Sequence, residues 1–460
     1  MVKVFNTISG QKEEFTPLGP SVTMYVCGVT PYDAMHVGHA MSYISFDAIR
    51  RYLEFRGHRV KHVQNFTDVD DKIIARARER GLSPQELAET YILQYYADTA
   101  ALNIRPAHLY PRATQEIPQI IHIVSQLISQ GYAYAVAGDV YFRVSRFPRY
   151  GRLSKRRQED MEAGARVEVS EAKENPSDFA LWKASKAGEP AWLSPWGDGR
   201  PGWHIECTAM ALHYLGETVD IHGGGQDLVF PHHENEIAQS EAFTGKEPFV
   251  RYWIHNGLLL MDEEKMSKSL GNLVTVKEVL SRHSADALRL LVLSSHYRSP
   301  LRYTEAALAG MERGVERLRQ AAVSGPAQGE ILEEYQEQFM AAMDDDFNTP
   351  QAVAVLFDLA REINRGQEAG APVVKAKATL RRLAGVLGFT LEETSLAAPL
   401  VEPLIQLLVQ VRGELRKARQ WALSDTIRSQ LEELDIALED TSQGTLWRRR
   451  AAKEQNEPPD

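Results

Sequence analysis

The chain predicts an α/β fold, a parallel sheet interrupted by an insertion and followed by an α-helical domain and a small mixed C-terminal unit. Three observations predict it. Residues 22–27 (VTMYVC) are β-prone and apolar, Val37, Ala40, Ile44, Ile49 and Leu53 then recur at roughly helical spacing, and residues 60–64 return to a strand pattern. Strand, helix, strand at this spacing is a βαβ unit, so the N-terminal half carries a Rossmann-like parallel sheet. In the second half the strand VDIH (219–222) precedes a helix that Pro231 is placed to open, because a proline at the first helical position lacks only an N–H that would have no partner. From Thr275 onward strand patterns stop, and helix starts are marked near Thr275, Ser284 and Thr304.

Taken in order, the first strand ends at Cys27 and runs into the turn-rich GVTPYDAM, and the helix from His36 stops at Gly57. NFTDVDDKII opens the next helix. Ser83-Pro84 caps another, to about Ala101, and Thr114 is expected to do the same for a helix ending at Gly131. A hairpin, AYAV-AGD-VYFRV, precedes the charged stretch 152–175, read as a surface insertion, and the parallel fold is expected to resume at DFALWK. A helix spans about Trp203 to Leu215. WIHNGLLLMD is extended, and EEKMSKSLGN is a polar loop. The linker SGPAQG precedes two or three helices reaching about Leu387, and TSLAAPLVEP separates the last unit, with helical sequence over 404–434 and strand-like IALED and TLWRR about SQG. The expected domains are 1–274 (insertion about 108–175), 275–392 and 393–450, with a disordered tail at 451–460.

At 460 residues the chain exceeds a single core, and 43% hydrophobic with 25% charged residues is the composition of an ordinary globular protein. No apolar run reaches the ~18 residues of a membrane span, and the N-terminus lacks the apolar stretch of a secretory signal, so a cytoplasmic protein is expected. Two cysteines cannot build a disulfide framework and are available for a metal or for catalysis. The net charge of −10 argues against binding nucleic acid by bulk charge. Local basic faces exist at Arg412, Arg416, Lys417 and Arg419 and at Arg448, Arg449 and Arg450; each is either a contact surface or a solvated face.

The stretch from Gly202 to Glu236 concentrates the chemistry. His232 and Glu236 are four apart on the expected helix, hence on one face, while His233 and Glu234 are directed elsewhere by ~100° steps. With Cys27 and Cys207 they make a donor set of two thiolates, an imidazole and a carboxylate, which suits Zn²⁺ better than Ca²⁺ or Mg²⁺. Spacing alone leaves a second reading open, since there is no C-x-x-C or H-E-x-x-H and single cysteines commonly serve as buried apolar residues. HGGGQD (222–227), between a strand and a helix, suggests close backbone approach to a ligand, or simply a tight turn. His36-Val37-Gly38-His39, at a helix N-terminus, can donate hydrogen bonds to phosphate or merely cap the helix. Lys265-Met266-Ser267-Lys268-Ser269 places two cations in a loop that either suits charge developing on a triphosphate or is simply solvated.

In this order, HVGH and KMSKS resemble the two signatures of the class I aminoacyl-tRNA synthetases. More narrowly the chain is similar to the cysteinyl-tRNA synthetase family, through MYVCGVTPYDAMHVGHA, YLEFRGHRVKHVQNFTDVDDKII, GWHIECTAMALHYLG, DIHGGGQDLVFPHHENEIAQSEA, WIHNGLLLMDEEKMSKSLGN, DALRLLVLSSHYRSPLRYT and the C-terminal RKARQWALSDTIRSQL…LEDTSQGTLWRR. The resemblance implies one zinc ion on Cys27, Cys207, His232 and Glu236, ligated in turn by the thiolate of substrate L-cysteine, a contact that serine lacks. A site built on one group's bonding discriminates by ~10⁴ or more without editing. It implies phosphate contacts from His36 and His39, pyrophosphate contacts from Lys265 and Lys268, ATP or adenylate contact at Gly225 and Asp227, and amino-acid contact at Thr67 and Trp203, the last of which could otherwise be core packing. Mg²⁺ accompanies ATP. The helical domain is expected to brace tRNA(Cys), and the C-terminal unit to read its anticodon with Arg416, Arg419, Asp440, Trp447 and Arg448. A monomer is expected. Two departures from the family pattern are Met41, where an arginine often follows the signature, and the mild exchange to Val37. A cysteine-activating ligase with a small amine acceptor would share zinc and both signatures but need no anticodon unit. A zinc hydrolase would leave KMSKS unexplained, and an inactive RNA-binding paralogue would leave intact signatures without use.

Overall fold

The computed structural model describes residues 1–156, 173–261, 264–265, 273–323, 330–392, 397–433, 436–441 and 444–449. The chain forms two compact units, Met1–Leu391 and Glu392–Asp460. At the centre of the first lies a four-stranded parallel sheet in the order Val250–Asn256, Val219–Gly225, Ser21–Val29, Arg59–Phe66. The chain moves outward from Ser21–Val29 to Arg59–Phe66 and later returns to fill the other side. The point where strand order reverses therefore falls between Ser21–Val29 and Val219–Gly225, and the crevice beyond the carboxyl ends there is where such sheets bind ligands. Cys27, His222 and Gly223 lie at or near those ends.

Both faces of the sheet are covered, and apolar side chains of its strands are buried: Met24, Tyr25, Ile221, Trp253 and Ile254 have no exposed surface. Helix Val37–Phe55 covers one face, burying Val37, Ala40, Ile44, Ile49 and Leu53 as the spacing predicts. Gly57, at φ +89, ends it where a side chain would be strained. Met41 is 3% exposed and packs into the core, so the departure at that position is a packing choice.

Three expectations change. Thr114 does not cap a helix; its N–H and hydroxyl donate to Asp68 at 3.0 and 2.6 Å, and the helix begins later, at Ile117–Ser129, with a proline in its first turn. DFALWK does not rejoin the parallel sheet. Phe179–Ala184 pairs antiparallel with Asp139–Phe142 of the preceding hairpin and with Gly199–Pro201, because the hairpin's open edge supplies a ready ladder. The insertion's sheet therefore runs on to Pro201; most of the charged stretch 152–175 lies outside the described residues. Strands also do not stop at Thr275, since Leu301–Tyr303 pairs in parallel with Leu259–Met261. An N-terminal hairpin, Lys3–Asn6 and Gln11–Glu14, left no clear pattern in the sequence; Asn6 joins it to the sheet edge by donating to Arg251 O and accepting from Trp253 N–H.

Thr275, Ser284 and Thr304 cap their helices as expected, each side chain accepting an N–H three residues on. The helical part continues through Glu333–Asp344, Thr349–Glu368 and Val374–Val386. In the second unit the helical stretch divides into Ala397–Lys417 and Trp421–Glu433, with Arg419 at φ +59 in the break, and the hairpin Ile436–Thr441/Gly444–Arg449 closes a small core of Ile405, Leu431, Ile436 and Leu438.

Candidate metal and nucleotide site

The expected zinc ligands converge from four elements. Cys27 lies two residues before the end of strand Ser21–Val29, Cys207 lies in the second turn of helix Trp203–Leu215, Glu236 is in the first turn of helix Glu234–Thr244, and His232 precedes that helix. One donor atom from each lies within 4.8 Å of the others, and all four residues are buried. Pro231 does not open the helix: the chain kinks at Phe230, whose backbone is extended (φ −139, ψ 133), and the regular helix starts at Glu234. His232 Nε2 nevertheless lies 3.0 Å from Glu236 Oε1. His233, expected to point away, instead faces the cluster, with Nε2 3.2 Å from Cys27 Sγ.

A shell of imidazoles surrounds these donors. His222 Nε2 is 2.8 Å from Glu236 Oε2, His204 Nδ1 is 2.8 Å from His232 Nδ1, and His233 Nδ1 is 2.7 Å from His255 Nε2. Cys27, His222, His233 and Glu236 form an overlapping second donor set. The sequence reading missed His204, His222, His233 and His255. A signal was present for two of them: VDIH and WIHN are neighbouring apolar strands that each carry a histidine toward the carboxyl end.

Burial and charge act against each other here. A hydrogen bond from Cys27 leads in holding the Cys207 thiol down, to about 6, while burial, then Cys207, push Cys27 well up. Burial would lower His232, but Glu236 and Cys207 outweigh it and raise it to about 10; burial would raise Glu236, but His222 and His232 hold it at about 2. The cluster thus presents two sulfurs, an imidazole and a carboxylate, aimed inward and carrying anionic character in a buried place. That chemistry fits Zn²⁺.

Trp203 is not core. It is 40% exposed, and its indole stacks on His232 with ring centroids 4.3 Å apart. Thr67 is buried, its N–H donating to Val29 O and its hydroxyl accepting from Asn65 Nδ2. At the start of helix Val37–Phe55, His36 is the cap: its Nδ1 accepts from His39 N–H, and the two rings stack at 3.7 Å. Buried His39 Nδ1 has no partner among the described residues. Burial lowers both imidazoles, opposed at His36 by Asp227 and Asp33, so Asp227 lies near His36. The glycines of HGGGQD have identifiable neighbours. A Cβ on Gly223 would meet the Phe46 ring at 2.3 Å, one on Gly224 would meet the His233 ring at 3.0 Å, and one on Gly225 would meet Asp227 Oδ1 at 2.6 Å.

Other expected residues are less completely placed. Lys265 pairs through its backbone with Leu260, while its side chain and residues 266–272, including Lys268, lie outside the described residues. Arg416 and Arg419 are exposed, Trp447 packs partly buried against its unit's core, and the side chains of Asp440 and Arg448 lie outside the described residues.

Residues 14–313 match the family model described as the class I (C) tRNA synthetase catalytic domain, and residues 338–392 match a DALR domain. Fold and site together define a class I aminoacyl-tRNA synthetase. The fold is shared with Mycobacterium tuberculosis methionyl-tRNA synthetase in complex with methionyl-adenylate, at a TM-score of 0.57 and 16% identity over 80% of this chain and 90% of that one. The chain is 57% identical over 456 residues to a cysteine--tRNA ligase of Dehalococcoides mccartyi, covering 97% of this chain and 99% of the relative. It is 50% identical over 474 residues to that of Moorella thermoacetica, with the same two shares. It belongs to the cysteine--tRNA ligase family. Among the described residues no helix is long and apolar enough to cross a membrane.

Proposed function

We propose that the chain attaches L-cysteine to tRNA(Cys) in two steps driven by ATP. The substrate carboxylate attacks the α-phosphate, giving cysteinyl-adenylate and pyrophosphate, and the terminal ribose hydroxyl of the tRNA then attacks the activated carbonyl. The observation that carries this reading is the buried cluster of Cys27, Cys207, His232 and Glu236 at the switch point of a class I catalytic sheet. A zinc ion on those four residues would supply a thiophilic Lewis acid that holds the substrate sulfur. Trp203, stacked on His232, and Thr67, on the neighbouring strand end, flank the amino acid. His36 and His39 donate hydrogen bonds to phosphate from a helix N-terminus, with Gly225 and Asp227 beside the nucleotide. Lys265 and Lys268 offset charge on the departing pyrophosphate, with Mg²⁺ arriving on ATP. Such catalysis is mostly positioning and electrostatic stabilisation.

The helical domain (275–392) braces the tRNA, and the last unit (393–450) reads the anticodon through Arg416, Arg419, Asp440, Trp447 and Arg448. The protein works in the cytoplasm as a monomer. Cysteine-dependent exchange of pyrophosphate into ATP, followed by charging of tRNA(Cys), tests the reading. Exchange with charging is expected. Exchange without charging would point to a small-amine acceptor, and absence of both would overturn the activity.

A further inference from the structure

The histidine signature raises a charge problem. Burial leaves His36 and His39 neutral at pH 7, so they offer hydrogen bonds to phosphate but no positive charge, and the carboxylates of Asp33 and Asp227 face His36. Lys265 and Lys268 are assigned to the departing pyrophosphate, so a polyanion held by the two imidazoles gains from a further cation on a neighbouring element.

Helix Asp71–Arg80 is placed to supply one. It starts just beyond the strand end that carries Thr67, and Asp70 caps it by accepting the Lys72 N–H at 2.8 Å. Ile73 and Ala77 pack with Leu87, Ala88 and Tyr32 beneath it. Two contacts dock it on the turn that leads into the signature: Arg76 Nη2 donates to Asp33 Oδ2 at 2.9 Å, and Lys72 Nζ sits 5.6 Å from the centre of the Tyr32 ring. Tyr32 precedes His36 by four residues. The neighbouring cations are committed, Arg76 to Asp33 and Glu79, and Lys183 and Arg200 to Asp71. Lys72 is exposed, and among the described residues it forms no ion pair. Its charge is felt at His39.

We propose that Lys72, poised over Tyr32 beside the histidine signature, is a further phosphate-binding residue of this site, contacting either the triphosphate of ATP or a backbone phosphate of the tRNA acceptor end. This rests on the reading of His36 and His39 as phosphate contacts. A compact ammonium on a four-carbon stem can follow a phosphate that moves during reaction, and an exposed position keeps it available.

Lys72→Met removes the charge and keeps much of the stem; Lys72→Arg keeps the charge. If the phosphate belongs to ATP, Lys72→Met raises KM for ATP or lowers kcat in cysteine-dependent pyrophosphate exchange by about tenfold, the scale of a hydrogen bond to a charged group, and Lys72→Arg recovers most of it. If it belongs to the tRNA, exchange is unchanged, KM for tRNA(Cys) rises in charging, and its dependence on salt becomes shallower by about one ion. Lys72→Met with wild-type constants in both assays overturns the assignment. The wild-type chain in parallel separates the two failures. A wild type without exchange overturns the activity and the phosphate reading together, whereas wild-type exchange with an indifferent Lys72→Met overturns Lys72 alone.

Discussion

Glu236 is where the separate parts of the candidate donor cluster meet: one carboxylate oxygen lies 3.0 Å from His232 and the other 2.8 Å from His222. Removing a neighbour of such a buried group is costly, because the remaining charge keeps its desolvation penalty. Cys207→Ser is therefore expected to lose bound zinc, read as metal content by elemental analysis, and to lose discrimination against serine with it. Serine rejection retained at wild-type strength would refute the thiolate mechanism. The metal-free protonation pattern gives a second expectation at this scale. At pH 7 Cys27, pushed up, and His232, at about 10, hold protons, while Cys207, at about 6, and Glu236, at about 2, do not. Zinc displaces the two held protons, so rebinding to stripped protein should release about two protons near pH 7 and weaken as pH falls. Titration calorimetry in buffers of different ionisation enthalpy measures that number; release of none would contradict the arrangement.

Between elements, the helix that begins at the histidine signature is anchored near its middle to the helical domain. Arg289, with no exposed surface, donates to Asp47 Oδ2 at 2.8 Å and to the carbonyls of Leu102, Asn103 and Leu387. Three residues earlier, Asp286 accepts from the N–H groups of Thr390 and Leu391. A single short motif thus holds the catalytic helix and the end of the helical domain. Asp47→Asn removes the carboxylate facing two buried guanidinium groups, Arg51 and Arg289, and should cost ~3–5 kcal/mol in urea unfolding. Gly223→Ala should also destabilise, by ~1–3 kcal/mol, because its Cβ would fall 2.3 Å from the Phe46 ring. A wild-type unfolding midpoint in either variant would show that the packing can give way.

Over the whole molecule, both halves of the candidate site lie in Met1–Leu391, and the hairpin unit has a core of its own. A chain ended after Leu391 should keep cysteine-dependent pyrophosphate exchange within a few-fold and lose efficient charging of tRNA(Cys), by ~100-fold or more if the anticodon unit carries even two base contacts. Undiminished charging would remove that unit from recognition.

The sequence by itself determined the elements whose signals are local. A βαβ pattern needs only the apolar spacing of Val37, Ala40 and Ile44 between two β-prone runs, and Thr275, Ser284 and Thr304 cap their helices through bonds three residues long. The donor set of Cys27, Cys207, His232 and Glu236 was legible because the chain has only two cysteines and the surrounding motifs are specific. Tertiary structure decided what depends on distant partners. Asp68 took the hydroxyl that made Thr114 look like a cap, and an open hairpin edge drew Phe179–Ala184 away from the parallel sheet. The chain kinks at Phe230, and His233 lies inward with His222 and His255 around the Cys27, Cys207, His232 and Glu236 cluster. Each of those outcomes turns on which distant group reaches a hydrogen-bonding atom first, a competition settled by packing rather than by neighbouring residues.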